Sequence, residues 1–128
     1  MKIAFHHICV ETNCYEKSIN FYTRIFDFSI IEEKKDFHGR DFNTWLKNDE
    51  IIIELQTPKR SDANELVVKG NNGLKHICFK VDDLKEAVNE IENKGYNNFL
   101  PGKRIYEVMA TKLSKLAAPE GTIIELRN

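Results

Sequence analysis

The sequence lacks the features that mark membrane, exported or nucleic-acid-binding proteins. No apolar run approaches the ~20 residues that cross a bilayer, and the first three residues lead into a strand pattern rather than a secretion signal. With 19 basic and 20 acidic residues the net charge is -1, so no overall positive field attracts nucleic acid or an anionic membrane. We therefore expect a cytoplasmic protein with neither kind of partner.

Cysteine is also scarce, and the number of cysteines is odd. Cys9, Cys14 and Cys78 show no C-x-x-C spacing, which favours reduced thiols over disulfides. Thiolate ligands would need a closed site for a soft metal, so we expect Cys9 and Cys78 to act as small apolar fillers. The 128 residues, 41% apolar and 30% charged, have the length and composition of a single globular domain.

Two halves of the sequence repeat each other. The motif F-H-H-I-C-V at residues 5–10 matches L-K-H-I-C-F-K-V at residues 74–81. The motif I-I-E-L occurs both at residues 52–55 and at residues 123–126. Such a repeat predicts two similar structural units in tandem.

Each half contributes one histidine and one glutamate at equivalent positions, His7 with Glu54 and His76 with Glu125. Any of the four alone would more often be structural or solvated than a ligand. Two of the four histidines in the sequence nevertheless fall at equivalent points, and alternation along strands allows all four side chains to face one cavity. Two imidazoles and two carboxylates are typical of a divalent-metal site.

The apolar periodicity predicts the same order of elements in both halves. Asn13 with Glu16 is expected to begin a helix over residues 14–26, and Asp83 with Glu86 begins a second helix that Gly95 ends. The predicted strands cover residues 5–10, 28–33, 41–47 and 50–56, then 74–81, 98–100, 112–117 and 122–127. The fold class is therefore α+β, in one domain of residues 1–128: a βαβββ module over about 1–57, a polar connector over 58–73, and a second module over about 74–128.

A basic loop is predicted at residues 101–111. It contains Lys103 and Arg104, which are either part of a solvated surface or a clamp for a carboxylate or phosphate of a substrate. The sequence leaves both interpretations open.

The whole chain resembles the vicinal oxygen chelate superfamily, and most of all its small glyoxalase I members. The matching segments include H-I-C-V-E-T at residues 7–12, E-K-S-I-N-F-Y at residues 16–22, and A-P-E-G-T-I-I-E-L at residues 118–126. The resemblance implies that the two modules form a curved mixed sheet around a metal cavity. It also implies a homodimer.

The same resemblance implies a function and a set of residue roles. His7, Glu54, His76 and Glu125 would hold one divalent ion, which could be nickel, zinc, cobalt, manganese or iron. The reaction would convert the hemithioacetal of methylglyoxal and a thiol, usually glutathione, into a 2-hydroxyacyl thioester, a step in methylglyoxal detoxification. Glu125 would abstract the proton, and Glu54 would return it or serve the opposite face of the substrate.

Two positions differ from the pattern of many relatives that use glutathione. Those relatives carry a basic residue four positions after the first histidine and an Asn four positions after the first glutamate, where this chain has Glu11 and Pro58. The thiol is therefore left open. Alternatives within the superfamily are a methylmalonyl-CoA epimerase, which usually has Gln at the position of Glu54, an extradiol dioxygenase with three ligands, and a drug-binding or thiol-transfer resistance protein.

Overall fold

A computed structural model describes residues 1–61, 73–100 and 104–128 of the chain. The chain divides into two compact units, Met1–Val68 and Lys69–Asn128. The division falls inside the expected connector, most of which lies outside the described residues. Each unit contains one of the two expected modules.

The first unit is a four-stranded mixed sheet with one helical segment. Its strand order is β1-β4-β3-β2; β1 pairs with β4 in parallel and the other neighbours are antiparallel. The elements are β1 (Ile8–Glu11), α1 (Tyr15–Asn20), which continues as a π-helical segment (Phe21–Ile25), β2 (Ser29–Phe37), β3 (Arg40–Asn48) and β4 (Ile51–Gln56).

The second unit repeats this plan with one additional strand. Its order is β5-β9-β8-β6, with β5 parallel to β9 and with β7 also paired to β8. The elements are β5 (Ile77–Lys80), α2 (Leu84–Asn93), β6 (Phe99–Leu100), β7 (Tyr106–Val108), β8 (Thr111–Ala117) and β9 (Ile123–Arg127). Strand β7 lies within the segment predicted to be a loop. Strands β6 and β7 share the edge of β8 opposite β9, so together they take the place that β2 alone takes in the first unit.

The expected α+β fold of two βαβββ modules is confirmed. The described strands nevertheless belong to two mixed sheets, one in each unit, whereas one curved sheet was expected. No helix in the described part of the chain is long and apolar enough to cross a membrane.

The first helix differs from its prediction in its cap and in its buried face. It begins at Tyr15 with Cys14 as the N-cap residue and without a side-chain cap, and the Cys14 N–H instead donates to Thr12 Oγ1 at 3.0 Å. Asn13 is therefore not the cap. Apolar residues recur at regular helical spacing at Tyr15, Ile19, Tyr22 and Phe26, but Ile19 and Phe26 are only half-buried. The wider turn of the π-helical segment shifts the buried face before Phe26, whereas Ile19 precedes that segment. The buried residues are Tyr15, Ser18, Phe21, Tyr22 and Ile25.

The second helix follows its prediction. Asp83 is the N-cap residue, and its Oδ1 accepts a hydrogen bond from the Glu86 N–H at 2.9 Å. The helix ends just before Gly95, whose φ of +86° favours a residue without a Cβ atom. The buried residues Leu84, Val88 and Ile91 confirm the apolar stripe.

The turn between β3 and β4 is displaced by one residue from the expected Asn48-Asp49. Asn48 remains in β3 and donates from its side chain to the Phe26 carbonyl at 2.8 Å. Asp49 and Glu50 form the turn, and Asp49 takes a φ of +49°, a left-handed conformation that Asp tolerates well.

One face of each sheet forms an apolar core, and the opposite face carries the polar residues of interest. Burying one such Leu or Ile side chain stabilises the fold by roughly 1.5–3 kcal/mol. Burial therefore determines which face of each strand packs against the core. The fully buried aliphatic residues are Leu46, Ile53 and Leu55 in the first unit and Leu116, Ile124 and Leu126 in the second. Because side chains alternate along a strand, Glu54 and Glu125 lie on the other face of each sheet.

We predict that Asp83→Ala lowers the free energy of unfolding by about 1 kcal/mol, because the Glu86 N–H loses its cap acceptor. Urea unfolding followed by circular dichroism measures the change. Asp82→Ala is the matched control, because it removes the same charge one residue earlier. An equal loss of stability in both variants would contradict the capping role.

Candidate functional site

Parallel pairing of the first and last strands brings a histidine next to a glutamate in each unit. Cys9 is paired with Glu54, and Cys78 is paired with Glu125, in matching registers. In the first unit, His7 Nε2 lies 3.3 Å from Glu54 Oε2. In the second unit, His76 Nε2 lies 3.6 Å from Glu125 Oε2. The structure thus forms two His-Glu pairs from the four predicted ligands.

The donor chemistry of these pairs fits a divalent metal. Both nitrogen-oxygen distances exceed the 2.7–3.2 Å of ordinary N–H···O hydrogen bonds. They are close to the roughly 3.0–3.4 Å that separates two ligands, each about 2.1 Å from one shared ion. The two pairs belong to different units. Among residues 1–61, 73–100 and 104–128, no three His, Cys, Asp or Glu side chains form a group that could hold a metal.

The first pair contacts an amide, an indole ring and a second histidine. Asn43 Nδ2 donates to Glu54 Oε1 at 2.7 Å, so Oε2 remains directed at His7. The His7 and His6 Nδ1 atoms lie 2.7 Å apart, and the Trp45 ring contacts His7 edge-on at 4.8 Å between centroids. If His7 donates its Nδ1 proton to His6, its Nε2 carries the lone pair that a metal ligand needs. Such outer contacts commonly orient ligating histidines.

The thiols next to the pairs are poor ligands in this setting. Desolvation, followed by the negative charge of Glu54, raises the pKa of Cys9 to about 12. Desolvation and the charge of Glu125 likewise raise the pKa of Cys78. Because thiolates are the form that binds metal, these shifts make both thiols poor metal ligands. Both cysteines are exposed, however, so the expected role as apolar fillers is not observed.

The second pair is surrounded by cations. Glu125 is only 3% exposed, and Lys115 Nζ lies 3.1 Å from its Oε2. Its Oε1 accepts a hydrogen bond from Arg127 Nε and a weak one from Cys78 Sγ. Burial alone would raise the pKa of Glu125, but the hydrogen bonds and charges of Arg127 and Lys115 outweigh burial and lower it. Glu125 is therefore held as a carboxylate.

Equivalent strand positions carry different chemistry in the two units. Trp45 is the β3 partner of Glu54, whereas Lys115 is the β8 partner of Glu125. The sequence pattern did not predict a place at the site for Asn43, Trp45, Lys115 or Arg127. Arg127 could have been found from period-two spacing, because it follows Glu125 by two positions on the same strand face. The other three depend on the register of antiparallel strands, which the sequence pattern does not specify.

Of the two residues of the predicted basic clamp, only Arg104 lies in the described part of the chain, since Lys103 falls outside it. Arg104 donates from Nε to Glu92 on α2 and stacks over the Phe99 ring at 4.8 Å. Phe99 is 7% exposed and belongs to the core face, opposite the face that carries Glu125. The structure thus places Arg104 beside α2 and Phe99, and a contact of Arg104 with a substrate stays a prediction.

Glu11, which stands where many glutathione-using relatives have a basic residue, has an arginine beside it. Glu11 accepts a hydrogen bond from Arg40 Nη1 at 2.9 Å, and the same guanidinium donates to the Thr57 carbonyl at 2.7 Å. A positive charge is therefore present beside Glu11, but it is already paired with that carboxylate.

Comparisons with known proteins identify the family. Residues 4–110 match the model of the Glyoxalase/Bleomycin resistance protein/Dioxygenase superfamily. Because this match covers most of the sequence, the chain belongs to that superfamily.

Individual proteins are also similar to this chain. The uncharacterized protein YwkD of Bacillus subtilis is 32% identical over 97 residues, covering 72% of each chain. Glyoxalase I of Saccharomyces cerevisiae is 25% identical over an alignment that covers 97% of this chain but only 44% of the yeast protein. The crystal structure of a glyoxalase family protein from Enterococcus faecalis superposes with a TM-score of 0.77 at 22% identity, covering 98% of this chain and 97% of that one. At this level of identity, the similarity to the Enterococcus faecalis protein shows the fold alone.

We predict that Arg104→Ala changes the free energy of unfolding by less than about 1 kcal/mol, since its ion pair with Glu92 is partly exposed. A double-mutant cycle with Glu92→Ala, read out by urea unfolding, should give a coupling of the same small size. Divalent-metal affinity should not change in either variant. A KM for substrate that rises in Arg104→Ala with kcat little changed would instead support the predicted substrate contact.

Proposed function

We propose that this protein is a metal-dependent isomerase of the glyoxalase I type. It would convert the hemithioacetal of methylglyoxal and a thiol into a 2-hydroxyacyl thioester. One divalent ion would be held by His7, Glu54, His76 and Glu125, either within one chain or across two. The observation that carries the proposal is the occurrence of the same His-Glu pair, at 3.3 and 3.6 Å, in both units.

Each part of the reaction can be assigned to residues of the chain. When bound, a divalent ion supplies Lewis acidity toward two neighbouring substrate oxygens. Glu125 would take the proton from the carbon that bears the hydroxyl and the sulfur, and Glu54 would return a proton to the neighbouring carbonyl carbon. The hydroxyl proton passes to the former carbonyl oxygen, so the overall change is an isomerisation. The contacts of Lys115 and Arg127 make Glu125 a weaker base than a free carboxylate, so these contacts must loosen during proton transfer.

The rest of the proposal concerns partners and location. We propose a cytoplasmic homodimer acting on a 2-oxoaldehyde-thiol adduct, and glutathione is one candidate thiol. Glu11, which is paired with Arg40, does not offer the positive charge that a glutathione carboxylate would need. Other small thiols therefore belong in the same activity screen.

The functional test is a turnover screen. Protein loaded separately with each of the five candidate metals would be assayed with methylglyoxal plus glutathione or alternative thiols, and with methylmalonyl-CoA. Isomerisation of a methylglyoxal adduct supports the proposal. Epimerisation of methylmalonyl-CoA without isomerase activity would replace it with the epimerase alternative.

We predict that His76→Ala sharply weakens divalent-metal binding, because the second pair loses its nitrogen donor. Equilibrium dialysis with metal analysis measures the effect. His38→Ala is the matched control, because His38 lies in the turn between β2 and β3 and packs on Phe37. Unchanged affinity in His76→Ala would remove His76 from the ligand set.

We further predict that Glu125→Gln lowers kcat by ~10²–10⁴-fold at full metal occupancy, the usual effect of losing a general base. Glutamine keeps an oxygen ligand, so metal should partly remain. Glu54→Gln is the comparison on the same substrate. An inactive Glu54→Gln with a nearly normal Glu125→Gln would reverse the two roles, and turnover in both would exclude proton transfer by either carboxylate.

A further inference from the structure

The carboxylate of the second His-Glu pair already has an internal cation. Glu125 Oε2 is the oxygen that faces His76 Nε2, and it is also the oxygen that Lys115 Nζ approaches at 3.1 Å. The lysine contact is the shorter of the two. Any cation that bridges His76 and Glu125 must therefore share or displace the position of the Lys115 ammonium.

The first pair provides an internal comparison. There the carboxylate oxygen that faces His7 is left to the histidine, since Asn43 donates to the other oxygen. The strand position equivalent to Lys115 is occupied by Trp45, which is uncharged. Of these two equivalent strand positions, only the one beside Glu125 therefore carries a lysine that can compete with a metal ion for the carboxylate.

The local charge also differs between the pairs. Around Glu125, one carboxylate faces two cations, Lys115 and Arg127. Glu125 is almost fully buried, so water screens these contacts less than it would at an open surface. A divalent ion that approaches this pair meets a net positive surrounding until one of the cations moves away.

Resting on the proposed function, we propose that Lys115 is a tethered competitor of the metal ion. Its ammonium contacts the predicted ligand oxygen of Glu125 and must leave that oxygen when a divalent ion binds. Lys115 therefore positions Glu125 and reduces metal affinity. Lys115 is better suited to this exchange than Arg127, because Arg127 contacts Oε1, the oxygen that does not face His76.

The test measures metal affinity rather than activity. Mn²⁺ is the probe, since it prefers oxygen and nitrogen ligands and is not drawn to Cys9 or Cys78 as softer ions would be. The free-ion electron paramagnetic resonance signal gives the Kd. Lys115→Met keeps the apolar stem and removes the charge, and we expect it to bind Mn²⁺ about tenfold more tightly, or better, than the unmodified chain. Unchanged affinity would overturn the proposal.

Three further variants make the assignment specific. Lys115→Arg keeps the charge and should retain the original affinity. Lys112→Met removes an exposed lysine near the start of the same strand, on the face opposite Lys115, and should also leave the affinity unchanged. In the Glu125→Gln background, Lys115→Met should produce a much smaller gain, because no anionic oxygen is left to compete for. The same gain with and without Glu125 would overturn the proposal in favour of general charge repulsion.

The outcome is separable from that of the proposed function. Tighter Mn²⁺ binding by Lys115→Met, together with no isomerase turnover in any metal-loaded form, would support the competitor role and refute the glyoxalase activity. Isomerase turnover by the unmodified protein, with unchanged Mn²⁺ affinity in Lys115→Met, would support the glyoxalase activity and refute the competitor role. Thermal unfolding of each variant confirms that affinities are compared between folded proteins.

Discussion

The arrangement of the candidate site depends on one constraint, the parallel pairing of the first and last strands in each unit. A parallel pair cannot be closed by a tight turn, so the chain must leave the first strand, cross through a helix and return. In this protein it returns through antiparallel strands and ends beside the first strand. The register Cys9 to Glu54 and Cys78 to Glu125 then places a histidine next to each glutamate. Apolar residues on the other face of each strand keep this register, because a one-residue slip would expose all of them.

The two units share the strand arrangement and the His-Glu pair but differ in the side chains that surround each glutamate. Glu54 has the neutral partner Asn43, while Glu125 is paired with Lys115 and Arg127. Asn43 and Lys115 lie on the strand next to each carboxylate, and Arg127 lies on the strand of Glu125 itself. A substitution on this face changes the surroundings of a carboxylate without changing the apolar residues of the core face. A duplicated fold can thus keep its donor atoms and still give its two halves unequal affinity and basicity.

Local signals predicted most of the elements and failed where packing decides. The cap at Asp83, the stop at Gly95 and the apolar stripe of α2 follow from side-chain chemistry within one turn, and they are observed. The burial of Phe26 was predicted wrongly because the residues before it adopt π-helical geometry, which moves the buried face. No single residue of the sequence predicts that geometry. Strand β7 was missed because it is a short strand whose stability comes from pairing with β8. The metal ligands themselves remain a prediction.

The sequence by itself determined the duplication, the α+β class and the equivalence of His7 with His76 and of Glu54 with Glu125, because repeats and period-two alternation are local patterns. Only the tertiary structure decided which residues surround those carboxylates. Trp45, Lys115 and Asn43 reach them across antiparallel neighbours, and Arg104 turns to Glu92 and Phe99 rather than toward the pair. Cross-strand register and the side of the sheet on which a loop packs are set by burial of the whole core, so no stretch of sequence taken alone contains them.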